Sequence, residues 1–245
     1  QLVITPSIPL LEDTEVRLTI NSSARSLFGQ KFAAPVTLSY SITPPPELLA
    51  LFPSDRELRE RDSIIAMFSH PMISEELIGE DLSRSMLELR PQVKGVWNWH
   101  NAKTLVFSPQ ENWPPATRFE LVEAEPIRTL NGSSLRQSIV THLNTERLRL
   151  LKPDDQELSQ AIAVSAPYLL TFNHPLTIAA LKQHLTLRDS SGELQRDLFI
   201  TELPETPEGS SYAIQPVSHS WHYEEEYEFT IAQELRPPHG NLLLE

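Results

Sequence analysis

The chain repeats itself at an interval of about 105 residues, and that interval governs what it can fold into. Phe68-Ser69-His70-Pro71-Met72 returns 104 residues later as Phe172-Asn173-His174-Pro175-Leu176. Each copy follows an apolar run, Ile64-Ile65-Ala66-Met67 in one and Tyr168-Leu169-Leu170 in the other. A second signature occurs three times: Leu2-Val3-Ile4-Thr5-Pro6, Leu105-Val106-Phe107-Ser108-Pro109 and Tyr212-Ala213-Ile214-Gln215-Pro216. Downstream of it, Leu10, Trp113 and Trp221 fall at equivalent places. So do Val16, Phe119 and Tyr227, and the glycines Gly29, Gly132 and Gly240. In this register, residues 1–43 are the C-terminal part of a first repeat and 44–147 a complete second one. Residues 148–245 form a third, expected to lack its last strand. That strand is Val36–Ile42 in the first copy and Ile139–Leu143 in the second; the third offers only Leu242-Leu243-Leu244.

Within each unit the hydrophobic period is two, which marks strands buried on one face. Val36, Leu38, Tyr40 and Ile42 alternate with Thr37, Ser39 and Ser41. Glu15–Ile20, Arg118–Leu121 and Tyr227–Ile231 alternate likewise, and Val93, Trp97 and Trp99 suggest one more strand with both tryptophans on one face. Thr104–Phe107 and Tyr212–Ile214 read as short strands ended by Pro, which cannot donate to a ladder. Helical signal is minor. Ser74–Leu77 starts with a plausible cap, Thr177 caps a short amphipathic helix running to Leu185, and Pro46–Phe52 reads as a helical turn. Many short strands in units of about 100 residues predict an all-β fold of tandem immunoglobulin-like antiparallel β-sandwiches.

Composition then removes function classes. The net charge is -13, from 20 Lys+Arg against 33 Asp+Glu, whereas a nucleic-acid partner needs a basic face. Cys is absent, which removes disulfides, thiolate metal sites and thiol nucleophiles. No apolar run approaches the ~20 residues of a membrane span. The chain opens on Gln1 without initiator Met or signal peptide and ends Leu244-Glu245, the ending a cloning site often leaves. It reads as a piece excised from a longer protein.

Residues with chemistry are few, and most have a structural reading. His70 and His174 hold the same repeat position and precede Pro, which fits a turn better than a metal or acid/base pair. Trp113 and Trp221 match Leu10 and read as core; Trp97 and Trp99 have no equivalents, which leaves an exposed stacking role open for them. The acidic runs Glu224-Glu225-Glu226 with Glu228, and Asp154-Asp155 with Glu157, lack the Asp-x-Asp-x-Asp-Gly spacing of a calcium loop and read as solvated faces. Asn21-Ser22-Ser23 and Asn131-Gly132-Ser133 fit the glycosylation sequon, a pattern too common to carry weight. Gly-x-Ser-x-Gly, His-Glu-x-x-His, Gly-x-Gly-x-x-Gly and Gly-Lys-Ser/Thr do not occur. No catalytic, cofactor-binding or metal-ligating residue is assigned, and the chain reads as a non-enzyme.

One set of elements carries a resemblance. Phe68–Met72, Leu87-Glu88-Leu89-Arg90-Pro91, Gly95-Val96-Trp97-Asn98-Trp99, Leu105–Pro109 and Trp113-Pro114-Pro115-Ala116-Thr117-Arg118-Phe119 resemble the N-terminal region of bacterial α2-macroglobulin-like proteins. Phe172–Pro175 and Gln183–Leu187 fit the same group, so the resemblance covers essentially the whole chain. It implies macroglobulin-like sandwiches in a periplasmic or surface protein, often lipid-anchored, that traps proteases for host defence. In that family a protease cleaves a bait segment and a Cys-x-x-Gln-type thioester captures it. With no Cys and no bait segment, this chain inherits architecture and no functional residue. The expected partners are other domains of the parent protein, and proteases through that parent. The alternatives are immunoglobulin-like repeats of a surface adhesin binding glycan or protein, and accessory domains of a secreted hydrolase.

Overall fold

The computed structural model describes residues 3–8, 10–11, 14–80, 85–153, 161–195, 197–207, 209–217 and 220–245. The acidic run at Asp154, Asp155 and Glu157 lies outside them, as does Leu2 of the first signature.

Alternation in the first repeat gives an antiparallel pair, β1 (Thr14–Ile20) and β2 (Val36–Ile42), with Val16 opposite Tyr40 and Leu18 opposite Leu38. Directly opposed side chains share a face, so Val16, Leu18, Ile20, Val36, Leu38, Tyr40 and Ile42 line one side. Among the described residues nothing covers it fully: Leu38 is 41% and Tyr40 57% exposed.

The second repeat has β3 (Leu48–Phe52), β4 (Ile64–Phe68), β5 (Leu87–Arg90), β6 (Gly95–Asn101), β7 (Thr104–Pro109), β8 (Arg118–Glu123) and β9 (Val140–Asn144). Strand order is β3-β4-β7-β6 in one sheet and β5-β8-β9 in the other. The third has β10 (Leu150–Lys152), β11 (Tyr168–Phe172), β12 (Leu185–Asp189), β13 (Leu194–Gln195), β14 (Leu198–Glu202), β15 (Ser210–Pro216) and β16 (Tyr227–Ile231). Its sheets are β10-β11-β15-β14 and β13-β12-β16. These are the tandem immunoglobulin-like antiparallel β-sandwiches that the strand spacing predicts. Each encloses its own core, one around Trp99, Phe107, Trp113 and Phe119, the other around Phe172, Tyr212 and Trp221.

The Gly-x-Trp-x-Trp element has a steric cause. Residues 95, 97 and 99 share the inner face of β6, and Trp97 and Trp99 are 8% and 1% exposed. A Cβ on Gly95 would lie 2.3 Å from the Phe107 ring and 2.7 Å from the Ser108 carbonyl oxygen. Only glycine leaves the ring its place. The helix α1 (Ile178–His184) forms as expected, with Thr177 Oγ1 accepting from the Ala180 N–H at 3.1 Å.

Three local expectations change. Pro46–Phe52 is not helical: Leu48–Phe52 is strand β3, because pairing with β4 overrides the helix propensity of Leu-Leu-Ala-Leu. Ser74 precedes only a 3₁₀ turn, Glu75–Leu77, and its side chain makes no capping bond. Gly29 and Gly132 close the same hairpin turn, with φ of 78° and 83° and N–H bonds to Ser26 and Thr129 carbonyls. In the third copy His239, not Gly240, takes the positive φ, at 66°.

Candidate functional site

The recurring motif positions the chain as it enters each sandwich. In the second repeat Ser69 Oγ accepts from the Glu47 N–H and the Ser69 N–H donates to the Glu47 carbonyl, both at 2.9 Å. In the third, Asn173 Oδ1 accepts from the Arg149 N–H at 2.8 Å, and its own N–H donates to the Arg149 carbonyl at 3.2 Å. Asn173 Nδ2 also donates to the Arg147 carbonyl at 2.8 Å. The residue before His-Pro is therefore a two-way clamp on the backbone just ahead of β3 or β10. Sequence reading fixes on the histidine and misses this residue. Its signal is a short polar side chain at both copies of one position.

The histidines diverge. His70 Nδ1 lies 2.8 Å from Ser69 Oγ. His174 Nε2 lies 3.1 Å from the Glu146 carbonyl oxygen, so this nitrogen carries the proton. Burial lowers the His174 pKa, opposed by the Glu146 contact. The unfolded chain, near the usual value of about 6.5, takes up a proton before the folded one does. Stability from this site is thus complete above that value and is lost as pH falls toward the lower folded pKa. We expect the third-repeat sandwich of a His174→Gln chain to lose less melting temperature than wild type between about pH 7.5 and 5. Equal losses, measured by calorimetry, would remove His174 from the joint's energetics.

A second set of bonds joins the two sandwiches directly. Ala116, fully buried at φ 45°, donates its N–H to the Glu146 carbonyl at 2.9 Å. Its own carbonyl accepts from the N–H groups of Asn241 and Leu242 at 2.9 and 2.8 Å. Asn241 Oδ1 accepts from the Arg118 N–H at 2.7 Å and Nδ2 donates to the Arg118 carbonyl at 3.0 Å, in the manner of an added strand residue. Thr117 and Thr145, both buried, satisfy each other: Thr145 Oγ1 accepts from the Thr117 N–H at 2.8 Å. Ala116 packs within the third repeat's core although it lies in the second repeat's sequence. Asn241→Ala is expected to cost about 1 kcal/mol, read as a lower urea midpoint, and to loosen the joint; an unchanged midpoint would show that water replaces the amide without loss.

The tryptophans are structural. The Trp113 N–H groups donate to Glu60 (backbone, 2.8 Å) and Asp62 (indole, 2.9 Å) carbonyls. Those of Trp221 donate to Val164 (2.9 Å) and Ala166 (2.8 Å) at the equivalent places. Each ring then meets the first aromatic of the following strand, Phe119 at 5.2 Å or Tyr227 at 5.0 Å. Trp97 and Trp99 are core residues too, which closes the stacking role left open for them. Glu225 in the acidic run accepts from the Ser190 N–H at 3.1 Å and from its hydroxyl, tying down the turn after β12, while Glu224, Glu226 and Glu228 are exposed. Among the described residues no three His, Asp or Glu side chains gather to hold a metal ion, and no helix is long and apolar enough to cross a membrane. An open groove of about 640 Å³ runs between β3 and β9, lined by Leu49–Glu57 and Thr141–Asn144.

No protein-family model matches the sequence, and no curated protein matches it. Among solved structures it is similar to L,D-transpeptidase 3 from Mycobacterium tuberculosis (12% identity, 81% of this chain and 89% of that one, TM-score 0.26). It is similar to an L,D-transpeptidase from Mycobacterium smegmatis (11%, 82% and 89%, TM-score 0.30). It is also similar to domains 1–6 of the surface layer protein SbsC (11%, 82% and 26%, TM-score 0.29). Likeness at these scores and identities carries nothing about activity or binding.

Proposed function

We propose that this chain is a non-catalytic scaffold: a tandem array of immunoglobulin-like sandwiches from the N-terminal region of a bacterial α2-macroglobulin-like protease trap. The setting is the periplasm or cell surface, with lipid anchoring of the parent as the resemblance implies. The observation that supports this reading best is the joint. The four tryptophans are spent on cores, and His174 on the Glu146 carbonyl of the connection between sandwiches. The side chains that look chemical act as architecture, which suits a part whose task is to hold other parts in place. The Phe-x-His-Pro and Trp-Pro elements that carry the family resemblance are the same residues that build the joint and the cores.

The isolated chain is expected to leave protease activity unchanged on small and on macromolecular substrates, and to bind no glycan on an array. The parent protein carrying these sandwiches is expected to block a protease on macromolecular substrates while sparing small ones, and to lose that selectivity when residues 44–245 are deleted. Saturable glycan binding by this chain would favour the adhesin, and hydrolysis by it would end the scaffold reading.

A further inference from the structure

The second sandwich leaves one of its flanks open. Strands β3 and β9 end their sheets there, and among the described residues neither has a second strand neighbour. The groove of about 640 Å³ lies between these two edges, and a hollow of about 330 Å³ prolongs it along Arg136–Thr141. Leu49 and Phe52 on the β3 side are 64% and 47% exposed, and Val140 on the β9 side 62%. Free edges are ordinarily blunted by charge or by a covering segment. The opposite flank shows both devices. Strand β5 carries Glu88 and Arg90, and the Gly79 N–H donates to the Trp99 carbonyl of β6 at 2.9 Å. The open flank has no such charge. Leu48–Phe52 and Val140–Asn144 hold no Asp, Glu, Lys or Arg, in a chain where these make up 22% of residues.

One residue shows how this edge takes a strand. At the end of the groove the chain crosses from the β3 sheet to β9: Leu58 bridges Thr145 in parallel, and its N–H donates to the Asn144 carbonyl at 2.8 Å. We propose that the groove binds an extended peptide segment of a partner, lying parallel to β9 in line with Leu58 and extending the ladder along Val140–Asn144. An added strand stands about 4.8 Å from β9, with the facing sheet about 10 Å away. Alternate side chains of the peptide then fill the space against Leu49 and Leu51. Charge sets the other requirement. Asp55 and Glu57 line the Asn144 end, and the Arg56 between them is already bonded to Asp62. At the far end Arg136 is bonded to Glu47. The fitting segment is therefore apolar at alternate positions, free of acidic residues and basic at its C-terminal end. Such binding is independent of whether the parent traps proteases.

The probe is a capped synthetic peptide of alternating valine and threonine that ends in lysine, titrated into the isotope-labelled chain and followed by amide NMR. Saturable shifts are expected along Leu49–Glu57 and Val140–Asn144 and not in the third sandwich. Methylating alternate backbone nitrogens of the peptide removes its donors and should weaken binding at least about tenfold. Moving the lysine to the amino end should weaken it about twofold to fivefold, a difference that Asp55→Asn combined with Glu57→Gln abolishes. Leu49→Lys places a charge in the apolar lining and should weaken binding about tenfold. That chain must keep the wild-type melting transitions, which separates lost binding from lost folding. An absence of shifts up to about 5 mM peptide, shifts confined to other strands, or equal binding of the methylated peptide would overturn the proposal. Concentration-dependent shifts of the same amides without peptide would give the groove to a second copy of the chain, and would overturn it as well.

Discussion

Trp113→Ala is expected to unfold the second-repeat sandwich at ambient temperature or bring it to the edge of unfolding. The indole is 6% exposed and sits between Phe107 and Phe119, at ring distances of 5.7 and 5.2 Å. Its removal takes the apolar surface out of the core and leaves a cavity that β-sheets on both sides are too rigid to close. Large-to-small changes of this kind cost about 3–5 kcal/mol, against a total stability of about 5–15 kcal/mol for a domain. The loss also frees the Asp62 carbonyl, which the indole N–H now satisfies at 2.9 Å. Trp113→Phe keeps most of the packing and loses that bond, so it should fall between the two. Urea unfolding followed by circular dichroism measures both. A Trp113→Ala chain within about 1 kcal/mol of wild type, the range of ordinary surface changes, would contradict the core role.

Gly95→Val is expected to be nearly as severe, for the opposite reason. Here the side chain adds atoms to filled space. A Cβ at position 95 meets the Phe107 ring at 2.3 Å and a backbone oxygen at 2.7 Å. The ring cannot swing freely, because Trp97 and Trp113 hold it at centroid distances of 5.0 and 5.7 Å. Overpacking at such a place costs about 3 kcal/mol. Adding Phe107→Leu to Gly95→Val should recover part of the loss, since the smaller side chain vacates the contested volume. A double variant no more stable than Gly95→Val alone would mean the clash is with the backbone of Ser108 instead.

Much of this was legible in the sequence because the signals were periodic or repeated. Alternation placed β1, β2, β8 and β16, and the recurrence of Leu-Val-Phe-Ser-Pro placed β7 and, with Tyr212–Pro216, β15. The equivalence of Trp113 and Trp221 holds down to the carbonyls they bond, Asp62 and Ala166, 104 residues apart. What was not legible depends on contacts made across the chain. Strand β3 has a helical composition, and its strand state comes from pairing with β4. Gly240 matched Gly132 in sequence, yet the third-repeat turn puts the positive φ on His239, where the following Asn241 reaches across to Arg118. Ser69 and Asn173 stand beside more conspicuous histidines. Their task, clamping a backbone segment about 22 to 24 residues upstream, leaves no periodic trace. Trp97 and Trp99 have no repeat equivalents to mark them as core in the sequence; the fold buries them.

A built joint holds the second and third sandwiches together, through Asn173, His174, Ala116 and Asn241. Residual dipolar couplings measured on the intact chain test it most directly. Amide couplings from residues 44–147 and 148–245 are predicted to fit one alignment tensor in wild type. They are predicted to separate into two when Asn173 and Asn241 are both changed to Ala. Two independent tensors in the unmodified chain would contradict the account, because sandwiches that tumble separately cannot hold other domains in fixed positions.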